Sequence, residues 1–276
     1  MRIAHISDFH IADRSRYPRN GITKRECDRY SIRLLKGLLG ALRESQPDHL
    51  VVTGDLTLSS ETNEFERVAE LLSPWVQEGK LTVVPGNHDV WTEAAALRFL
   101  RVIGPDGRGM HKPVGSYPHL VDLSPELVLI ALDSARPGAD PFTAQGRLGS
   151  EQIQTTRQWI REKTQVGKKV ILALHHHVVL PPDRLDSDVF VNRTRLADAD
   201  KVVRLLADLP VLAVLHGHRH VAFRLDLPGV AGTTPVLCAG SGARDSDEPV
   251  RRARAFLYQF DATGLHRVEA LVASVE

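Results

Sequence analysis

The sequence predicts an α/β fold, a four-layer α/β/β/α sandwich of two mixed sheets with helices on both outer faces. Two observations support this prediction. Through most of the chain, apolar segments of strand character alternate with segments of helical period. After residue 220 the helical period disappears and four strand-like segments follow one another, which indicates a second sheet. We expect residues 1–276 to form a single domain, with the strands from about residue 221 forming much of the second sheet.

Five apolar runs have the length of β-strands, and each ends at a block of polar residues. They span residues 3–7, 50–53, 81–85, 170–174 and 211–215. Other segments repeat their apolar residues at helical spacing, as the leucines at 34, 35, 38, 39 and 42 do. The predicted helices span residues 26–45, 65–75, 93–102, 151–163 and 200–209. The C-terminal strands are predicted at 221–227, 234–239, 253–260 and 266–273.

The composition is typical of a globular enzyme. Hydrophobic residues make up 42% of the chain, enough to bury a sizeable core, and the net charge of +1 gives no indication of nucleic-acid binding. Two cysteines, Cys27 and Cys238, are too few for a disulfide framework and favour a reducing compartment. Because the sequence has neither signal-peptide features nor a long apolar span, we expect a cytoplasmic protein without a membrane span. The composition leaves open whether the chain forms an oligomer.

Five blocks rich in metal-ligand residue types are the most informative feature of the sequence. Each follows one of the five apolar runs, and the carboxyl ends of strands line one crevice in an open α/β sheet, so the blocks predict a single site. Side chains two apart on an extended segment point the same way, so Asp8 with His10, and His218 with His220, are expected to face the crevice. The blocks are Asp8-Phe9-His10, Gly54-Asp55, Gly86-Asn87-His88-Asp89, His175-His176-His177 and Gly217-His218-Arg219-His220.

Carboxylate, imidazole and amide ligands suit Mn, Fe or Zn, and the blocks lack the thiolates of a structural zinc site. Seven candidate ligands are too many for one metal with an open position, but they fit two divalent metals that share a carboxylate. Two such ions against two carboxylates leave the site positively charged, so it should attract phosphate. The candidates are Asp8, His10, Asp55, Asn87, His218, His220 and one histidine of 175–177.

The order D-x-H, G-D, G-N-H-D, H, G-H-x-H resembles the calcineurin-like metallophosphoesterase superfamily. The resemblance runs from Asp8 to His220, about four-fifths of the chain. It implies two ligand sets that share a bridging Asp55. The first set is Asp8, His10, Asp55 and His220. The second set is Asp55, Asn87, His218 and one of the clustered histidines.

The histidine of the second set stays open among three neighbours. Related phosphodiesterases usually follow these histidines directly with proline, whereas residues 178–180 intervene here. We favour His175, because it ends an apolar run and strand-end residues face the crevice; His177 could share that face, and His176 is the second choice if the chain turns early. Contacts to the substrate are expected from Asn87, His88, His176 and Arg219.

The resemblance implies hydrolysis of small-molecule phosphodiesters, of the cyclic nucleotide or glycerophosphodiester type. Two metals would lower the pKa of a bridging water, and the resulting hydroxide would attack phosphorus in line. His88 would then protonate the departing alkoxide.

Three alternatives remain at this point. One is a phosphomonoesterase or nucleotide pyrophosphatase, although the lipid A precursor pyrophosphatases commonly carry arginine where this chain has His88. Another is a DNA nuclease, which would bring a longer chain and a basic surface. The third is a non-catalytic scaffold, which would have lost ligand residues that this chain retains.

Several further residues have two interpretations. His5 lies in an apolar strand and is predicted to be a hydrogen-bonded core residue. Asp89 either orients His88 or caps the helix that begins near Thr92. The basic residues after the first block either form a solvated face or contact the substrate phosphate. They are Arg14, Arg16, Arg19, Lys24 and Arg25.

Overall fold

A computed structural model describes residues 1–16, 23–110, 117–138, 144–180, 194–261 and 263–273. Its strands are β1 (Arg2–Ile6), β2 (His49–Val52), β3 (Leu81–Val83), β4 (His119–Ser124), β5 (Leu127–Ala131), β6 (Lys169–Ala173), β7 (Val211–His216), β8 (Ala222–Gly229), β9 (Gly232–Ala239), β10 (Arg254–Asp261) and β11 (Gly264–Val272). Its α-helices are α1 (Lys24–Cys27), α2 (Ile32–Glu44), α3 (Thr62–Gln77), α4 (Glu93–Val102), α5 (Gly149–Gln165) and α6 (Ala199–Asp208).

Within these residues the strands form two mixed sheets. The first has the order β11-β10-β1-β2-β3, and the second has the order β4-β5-β6-β7-β9-β8. In the first sheet β1, β2 and β3 are parallel, and β10 runs antiparallel to β1. In the second sheet β5, β6, β7 and β9 are parallel, and β4 and β8 run antiparallel to their neighbours.

Three apolar clusters separate four layers. Leucines of α2, such as Leu35, and apolar residues of α3 and α4 pack on the outer face of the first sheet. Apolar residues of α5 and α6 pack on the outer face of the second sheet. Between the sheets, side chains such as Ile3, Val51 and Leu215 meet in a third cluster. The predicted α/β sandwich with helices on both outer faces is confirmed.

The C-terminal strands divide between the sheets, and the prediction that they form much of the second sheet is wrong for the last two. β8 and β9 join the second sheet through β7, whereas β10 pairs with β1 and β11 pairs with β10. The register places Ile3 opposite Tyr258, and both side chains lie in the cluster between the sheets. β10 therefore completes the hydrogen bonds of β1, a partnership that spans most of the chain.

One predicted helix and two strands also differ from the prediction. The helix expected over 26–45 is interrupted after α1, because Tyr30 forms a β-bridge with Arg244 and Ser31 caps α2 by accepting a hydrogen bond from the Leu34 N–H at 3.4 Å. The strands β4 and β5 were not predicted, although all five residues of β5 are buried and apolar.

Candidate metal centre

The carboxyl ends of β1, β2, β3, β6 and β7 meet at one edge of the molecule, as the five blocks predicted. Contacts between blocks join the two sheets. The His218 backbone N–H donates to Asp8 Oδ2 at 3.0 Å, and His175 Nδ1 donates to the carbonyl oxygen of Thr53 at 2.7 Å. Ligand blocks that are up to 210 residues apart in the sequence thus touch one another.

The first cluster consists of Asp8, His10, Asp55 and His220. Their donor atoms all lie within 4.8 Å of one another. His220 Nε2 is 2.9 Å from Asp8 Oδ1 and 3.0 Å from His10 Nε2. His10 Nε2 is in turn 3.6 Å from Asp55 Oδ2. Asp8, His10 and Asp55 are almost fully buried, so these groups face one another and are shielded from bulk solvent.

The second cluster consists of Asp55, Asn87, His175 and His218. His175 Nε2 is its centre, at 3.4 Å from Asp55 Oδ2, 3.2 Å from Asn87 Oδ1 and 3.2 Å from His218 Nδ1. Asp55 belongs to both clusters, and the same oxygen, Oδ2, faces the histidine of each. The two clusters are therefore neighbours that share one carboxylate.

The backbone of the ligand blocks is left-handed rather than extended. Such positive φ values are uncommon outside glycine and cost about 1 kcal/mol or more each. The expectation that Asp8 and His10 face the site because they alternate on an extended segment is therefore wrong; each faces the site because its own residue turns. The left-handed residues of the blocks are Asp8 (φ 56°), His10 (φ 45°), Asp55 (φ 52°), His218 (φ 73°) and His220 (φ 53°).

Glycines in the blocks allow neighbouring strand ends to approach each other. A Cβ on Gly86 would overlap with the backbone nitrogen and Oδ1 of Asp55. A Cβ on Gly217 would overlap with Ser7 Oγ and lie 2.5 Å from Asp8 Oδ2. Glycine is thus needed at both positions for the blocks themselves to pack together.

The protonation states suit metal ligands. Burial raises the pKa of the Asp8 carboxyl, but the imidazoles of His220 and His10 outweigh burial and hold this pKa well below its ordinary value. Against the same effect of burial, His175 and His88 hold the pKa of Asp55 well below its ordinary value. Burial lowers the pKa of His10 to about 4. Ionised carboxylates and neutral imidazoles are the forms that bind metals.

His175 and His218 differ in their ionisation. Burial opposes a charge on His175, but the Asp55 carboxylate outweighs it and raises the pKa of His175 to about 9. Burial holds the pKa of His218 well below its ordinary value. A metal that binds at the second cluster would therefore displace a proton from His175.

The donor set fits divalent cations. Two imidazole nitrogens, of His10 and His220, lie 3.0 Å apart beside two carboxylates, and only a proton or a cation between them offsets the repulsion of their lone pairs. In the described part of the chain, the buried His10 Nδ1 and His218 Nε2 have no hydrogen-bond partner. Oxygen and nitrogen ligands without thiolate are the set that Mn, Fe and Zn accept at catalytic sites.

His175, His176 and His177 occupy different environments. His175 reaches Asp55, as described above. His176 Nδ1 lies 2.8 Å from Ser134 Oγ, while its donor atoms come within 4.8 Å of those of His175 and His218. His177 stacks on the His218 ring at 5.6 Å between centroids. Since only His175 is placed between members of the second cluster, the geometry supports it as the ligand, and the choice stays a prediction.

His88 lies beside the first cluster, with its ring centroid 4.7 Å from that of His10. Its Nδ1 donates to the carbonyl oxygen of Leu58 at 2.8 Å, and its backbone N–H donates to Asp55 Oδ1 at 2.9 Å. Leu58, and not Asp89, therefore orients the imidazole.

Asp89 has neither of the two roles considered from the sequence. Its carboxylate accepts hydrogen bonds from the backbone N–H groups of Leu56, Thr57 and Gly86 at 3.2, 2.9 and 2.9 Å. The cap of α4 is Thr92, whose hydroxyl accepts from Ala95 N–H at 3.1 Å. Asp89 thus ties the block after β2 to the block after β3.

Comparison with known proteins agrees with this site. The family model of calcineurin-like phosphoesterases matches residues 1–222, which contain all five blocks. The chain belongs to the calcineurin-like phosphoesterase family. The predicted resemblance is confirmed, and so is the prediction of a phosphoric ester hydrolase.

Relatives of this phosphoesterase include bacterial proteins. A cAMP/cGMP dual specificity phosphodiesterase of Mycobacterium tuberculosis is 29% identical over 253 residues, which cover 89% of this chain and 68% of the relative. A probable cyclic nucleotide phosphodiesterase of Rhodococcus erythropolis is 27% identical over 288 residues, covering 99% and 84%.

Solved structures share the fold at low identity. A dimetal phosphatase from Danio rerio has a TM-score of 0.63 at 14% identity, and the superposition covers 99% of each chain. A purple acid phosphatase from yellow lupin has a TM-score of 0.64 at 13% identity, covering 99% of this chain and 51% of that one. None of the described helices of this phosphoesterase combines the length and hydrophobicity needed to cross a membrane.

The structure also places residues at the phosphoesterase site that the sequence did not indicate. Tyr30 Oη and Arg244 Nη1 each lie 3.3 Å from His220 Nδ1, behind the atom that faces the first cluster. Ser241 Oγ donates to the carbonyl oxygen of Asp8 at 2.7 Å. No motif marks these residues, and Ser241 and Arg244 lie beyond the segment that the family model matches.

The remaining sequence predictions concern Arg219, His5 and the basic residues. Arg219 Nη1 donates to Thr194 Oγ1 at 3.0 Å, and its contact with substrate stays a prediction. His5 is a buried core residue whose Nε2 lies 2.9 Å from Thr53 Oγ1, as expected. Among the basic residues, Arg19 lies outside the described residues.

Proposed function

We propose that this phosphoesterase hydrolyses small-molecule phosphodiesters, of the cyclic nucleotide or glycerophosphodiester type, with two divalent cations drawn from Mn, Fe and Zn. The observation that carries the proposal is the position of Asp55. Its Oδ2 lies 3.6 Å from His10 Nε2 and 3.4 Å from His175 Nε2, so one carboxylate oxygen faces both clusters. Two cations about 3.5–4 Å apart act together on one phosphate in hydrolases of this kind.

The proposal assigns one cation to each cluster. When bound, the cations would activate water and neutralise the phosphoryl oxygens as Lewis acids. The chain's part is to hold the carboxylates of Asp8 and Asp55 ionised and the imidazoles of His10 and His218 neutral, and to fix the positions of the proposed ligands through strained backbone and close-packed glycines. The proposed ligands are Asp8, His10, Asp55 and His220 at the first cluster, and Asp55, Asn87, His175 and His218 at the second.

His88 is the proposed general acid. Because Nδ1 donates to Leu58 O, Nε2 is the ring atom that would carry a proton to the leaving group. The backbone N–H of His88 is bonded to Asp55, so the acid keeps a fixed position relative to the shared carboxylate. Asn87, His176 and Arg219 are proposed to contact the substrate.

The preference for diesters rests on the relatives. The Mycobacterium tuberculosis protein is a cyclic nucleotide phosphodiesterase, and the Rhodococcus erythropolis protein is a probable one. An alkyl diester releases an alkoxide, which needs a proton in the transition state, and His88 is proposed to provide it.

The test compares leaving groups in the His88→Ala variant. Hydrolysis of cyclic AMP, whose leaving group is a ribose alkoxide, should fall about 10²- to 10⁴-fold, the range of general acid catalysis. Hydrolysis of bis(p-nitrophenyl) phosphate should fall much less, because p-nitrophenolate departs without protonation. Metal content, measured by mass spectrometry, should stay at the wild-type value because His88 is outside the proposed ligand set.

His266→Ala, on the exposed β11, is the matched control and should retain activity on both substrates. If His88→Ala lost the same fraction of activity on both substrates while both metals stayed bound, His88 would not be the proton donor. If the wild-type enzyme turned over p-nitrophenyl phosphate far faster than both diesters, the proposed diester specificity would be wrong.

A further inference from the structure

A cavity of about 510 Å³ lies next to the first cluster. His10 and Tyr30 are among its lining residues, and their ring centroids lie 4.4 Å apart. The loop after β1, the N-terminal end of α2 and one side chain of α3 form its walls. Its volume is in the range of small-molecule sites, about 300–1,000 Å³. A phosphate held at the first cluster would therefore lie beside a space that can receive an organic group.

The lining of this cavity is positively charged. Arg14, Arg33 and Arg67 line it, and Asp13 is the acidic residue among the described lining residues. Asp13 Oδ2 accepts from Asn63 Nδ2 at 2.6 Å. One carboxylate against three guanidinium groups leaves an excess of positive charge in a cavity that adjoins a phosphate-binding centre.

Two of the three arginines are available to a ligand. Arg14 is engaged, because its Nη2 donates to the carbonyl oxygen of Tyr30 at 3.0 Å and its Nη1 lies 3.8 Å from Asp28 Oδ1. Arg33 and Arg67 are exposed, and neither forms an ion pair with any other residue that the structure describes. They come from different helices, α2 and α3, and face one cavity from two sides.

Guanidinium groups bind phosphate well because their planar N–H donors match two phosphate oxygens. We propose that this cavity binds a second phosphate, carried by the organic part of a nucleotide diester, and that Arg33 and Arg67 are the residues that recognise it. The inference rests on the proposed diesterase function and narrows it, since it selects nucleotide diesters with an additional phosphate over those without one.

Two linear dinucleotides test this inference. ApA carries the scissile phosphate alone, whereas pApA carries an additional 5′-phosphate, so the ratio of their kcat/KM values isolates the second phosphate. The wild-type enzyme should prefer pApA by about tenfold or more. Arg33→Gln and Arg67→Gln should each lower the ratio by about tenfold at most. This loss is near the lower end of the range for a charge-assisted hydrogen bond, because both guanidinium groups are exposed to solvent. In the double variant the ratio should approach one.

Two internal controls accompany these variants. Hydrolysis of ApA should be unchanged in Arg33→Gln and Arg67→Gln, which shows that the catalytic centre is intact. Lys36→Gln removes a positive charge from an exposed position on α2 outside the lining and should leave the ratio unchanged, which separates local recognition from general attraction. If Lys36→Gln lowered the preference for pApA as much as Arg33→Gln does, the proposed second-phosphate site would be wrong.

Failure of the inference differs from failure of the proposed function. If the wild-type enzyme hydrolyses ApA and pApA with equal kcat/KM, the second-phosphate site is wrong and the diesterase function stands. If it hydrolyses neither dinucleotide, nor cyclic AMP, nor bis(p-nitrophenyl) phosphate in the presence of Mn²⁺, both are wrong.

Discussion

Asp55 is the residue that contacts both clusters. One of its oxygens faces His10 and His175, and the other accepts the His88 backbone N–H. Removal of this side chain therefore affects both proposed ligand sets and the position of the proposed acid, whereas removal of any other ligand affects one set.

We expect Asp55→Ala to lose both metals together and with them the activity. Metal content per chain, measured by mass spectrometry after dialysis, should fall from two toward zero. Asp226→Ala, which removes an exposed carboxylate that pairs with Arg224, is the control and should keep two. Two equivalents of metal in Asp55→Ala would contradict the bridging role.

Tyr30 acts on the site through His220. If His220 binds a metal through Nε2, its Nδ1 carries a proton and needs an acceptor. Arg244 can only donate, so the Tyr30 hydroxyl, at 3.3 Å, is the group that can accept it. On this reasoning we expect Tyr30 to hold the imidazole in the tautomer and orientation that a metal requires.

Tyr30→Phe should accordingly weaken metal binding at the first cluster by about 10- to 100-fold, the usual effect of losing such a partner. Competition with a chelator would measure the affinity. Tyr258→Phe, which removes another buried hydroxyl near His5, serves as control and should leave the affinity unchanged. Unchanged affinity in Tyr30→Phe would show that Tyr30 does not position His220.

At the scale of elements, the site depends on how closely neighbouring strand ends pack. The blocks after β2 and β3 are in contact at Asp55 and Gly86, and the carboxylate of Asp89 binds backbone groups of both. The parallel strands bring the blocks to the same edge of the sheet. The contacts between the short segments that follow the strands determine the distances between the proposed ligands.

Gly86→Ala should therefore disrupt the site, because its Cβ would overlap with the backbone of Asp55. We expect metal content to fall and the free energy of unfolding to decrease by about 1–3 kcal/mol. Gly37→Ala is the contrasting variant, since no atom lies within 4 Å of its Cβ and the residue is inside α2. It should stabilise the protein by about 0.5–1 kcal/mol without changing metal content. Calorimetry would check both, and wild-type metal content in Gly86→Ala would refute the packing argument.

Sequence reasoning found the elements whose signals are local. The strands that precede the ligand blocks end within two residues of their predicted ends, because an apolar run that stops at a polar block marks both features. The sheet membership of β10 and the position of Arg244 were not predicted. Both depend on which distant segments pair, as Tyr30 does with Arg244, and no spacing within the sequence encodes such a pairing.

At the scale of the whole molecule, the interface between the sheets contains a buried histidine. His49 is 5% exposed, and its Nε2 lies 2.8 Å from Thr82 Oγ1. Burial lowers the pKa of His49 to about 4. As the pH falls below about 6.5, the unfolded chain binds a proton at this residue and the folded chain does not, so folding stability decreases until about pH 4.

His49→Gln should reduce this sensitivity to acid. Urea unfolding of the metal-free proteins would measure the free energy of unfolding at pH 7 and pH 5. Between these two pH values, His49→Gln should lose about 2 kcal/mol less of this free energy than the wild type does. Parallel pH profiles for His49→Gln and the wild type would refute the prediction.

The pairing of β1 with β10 affects the order in which the protein can assemble. Arg2 lies opposite Gln259 in the ladder, and Ser241, in the segment between β9 and β10, donates a hydrogen bond to the Asp8 carbonyl oxygen. During translation all five ligand blocks therefore emerge from the ribosome before the strand that completes β1. The block after β1 is synthesised before the other four, yet its strand gains β10 as a partner only after all of them, so the nascent chain carries these histidines and carboxylates before β1 is complete.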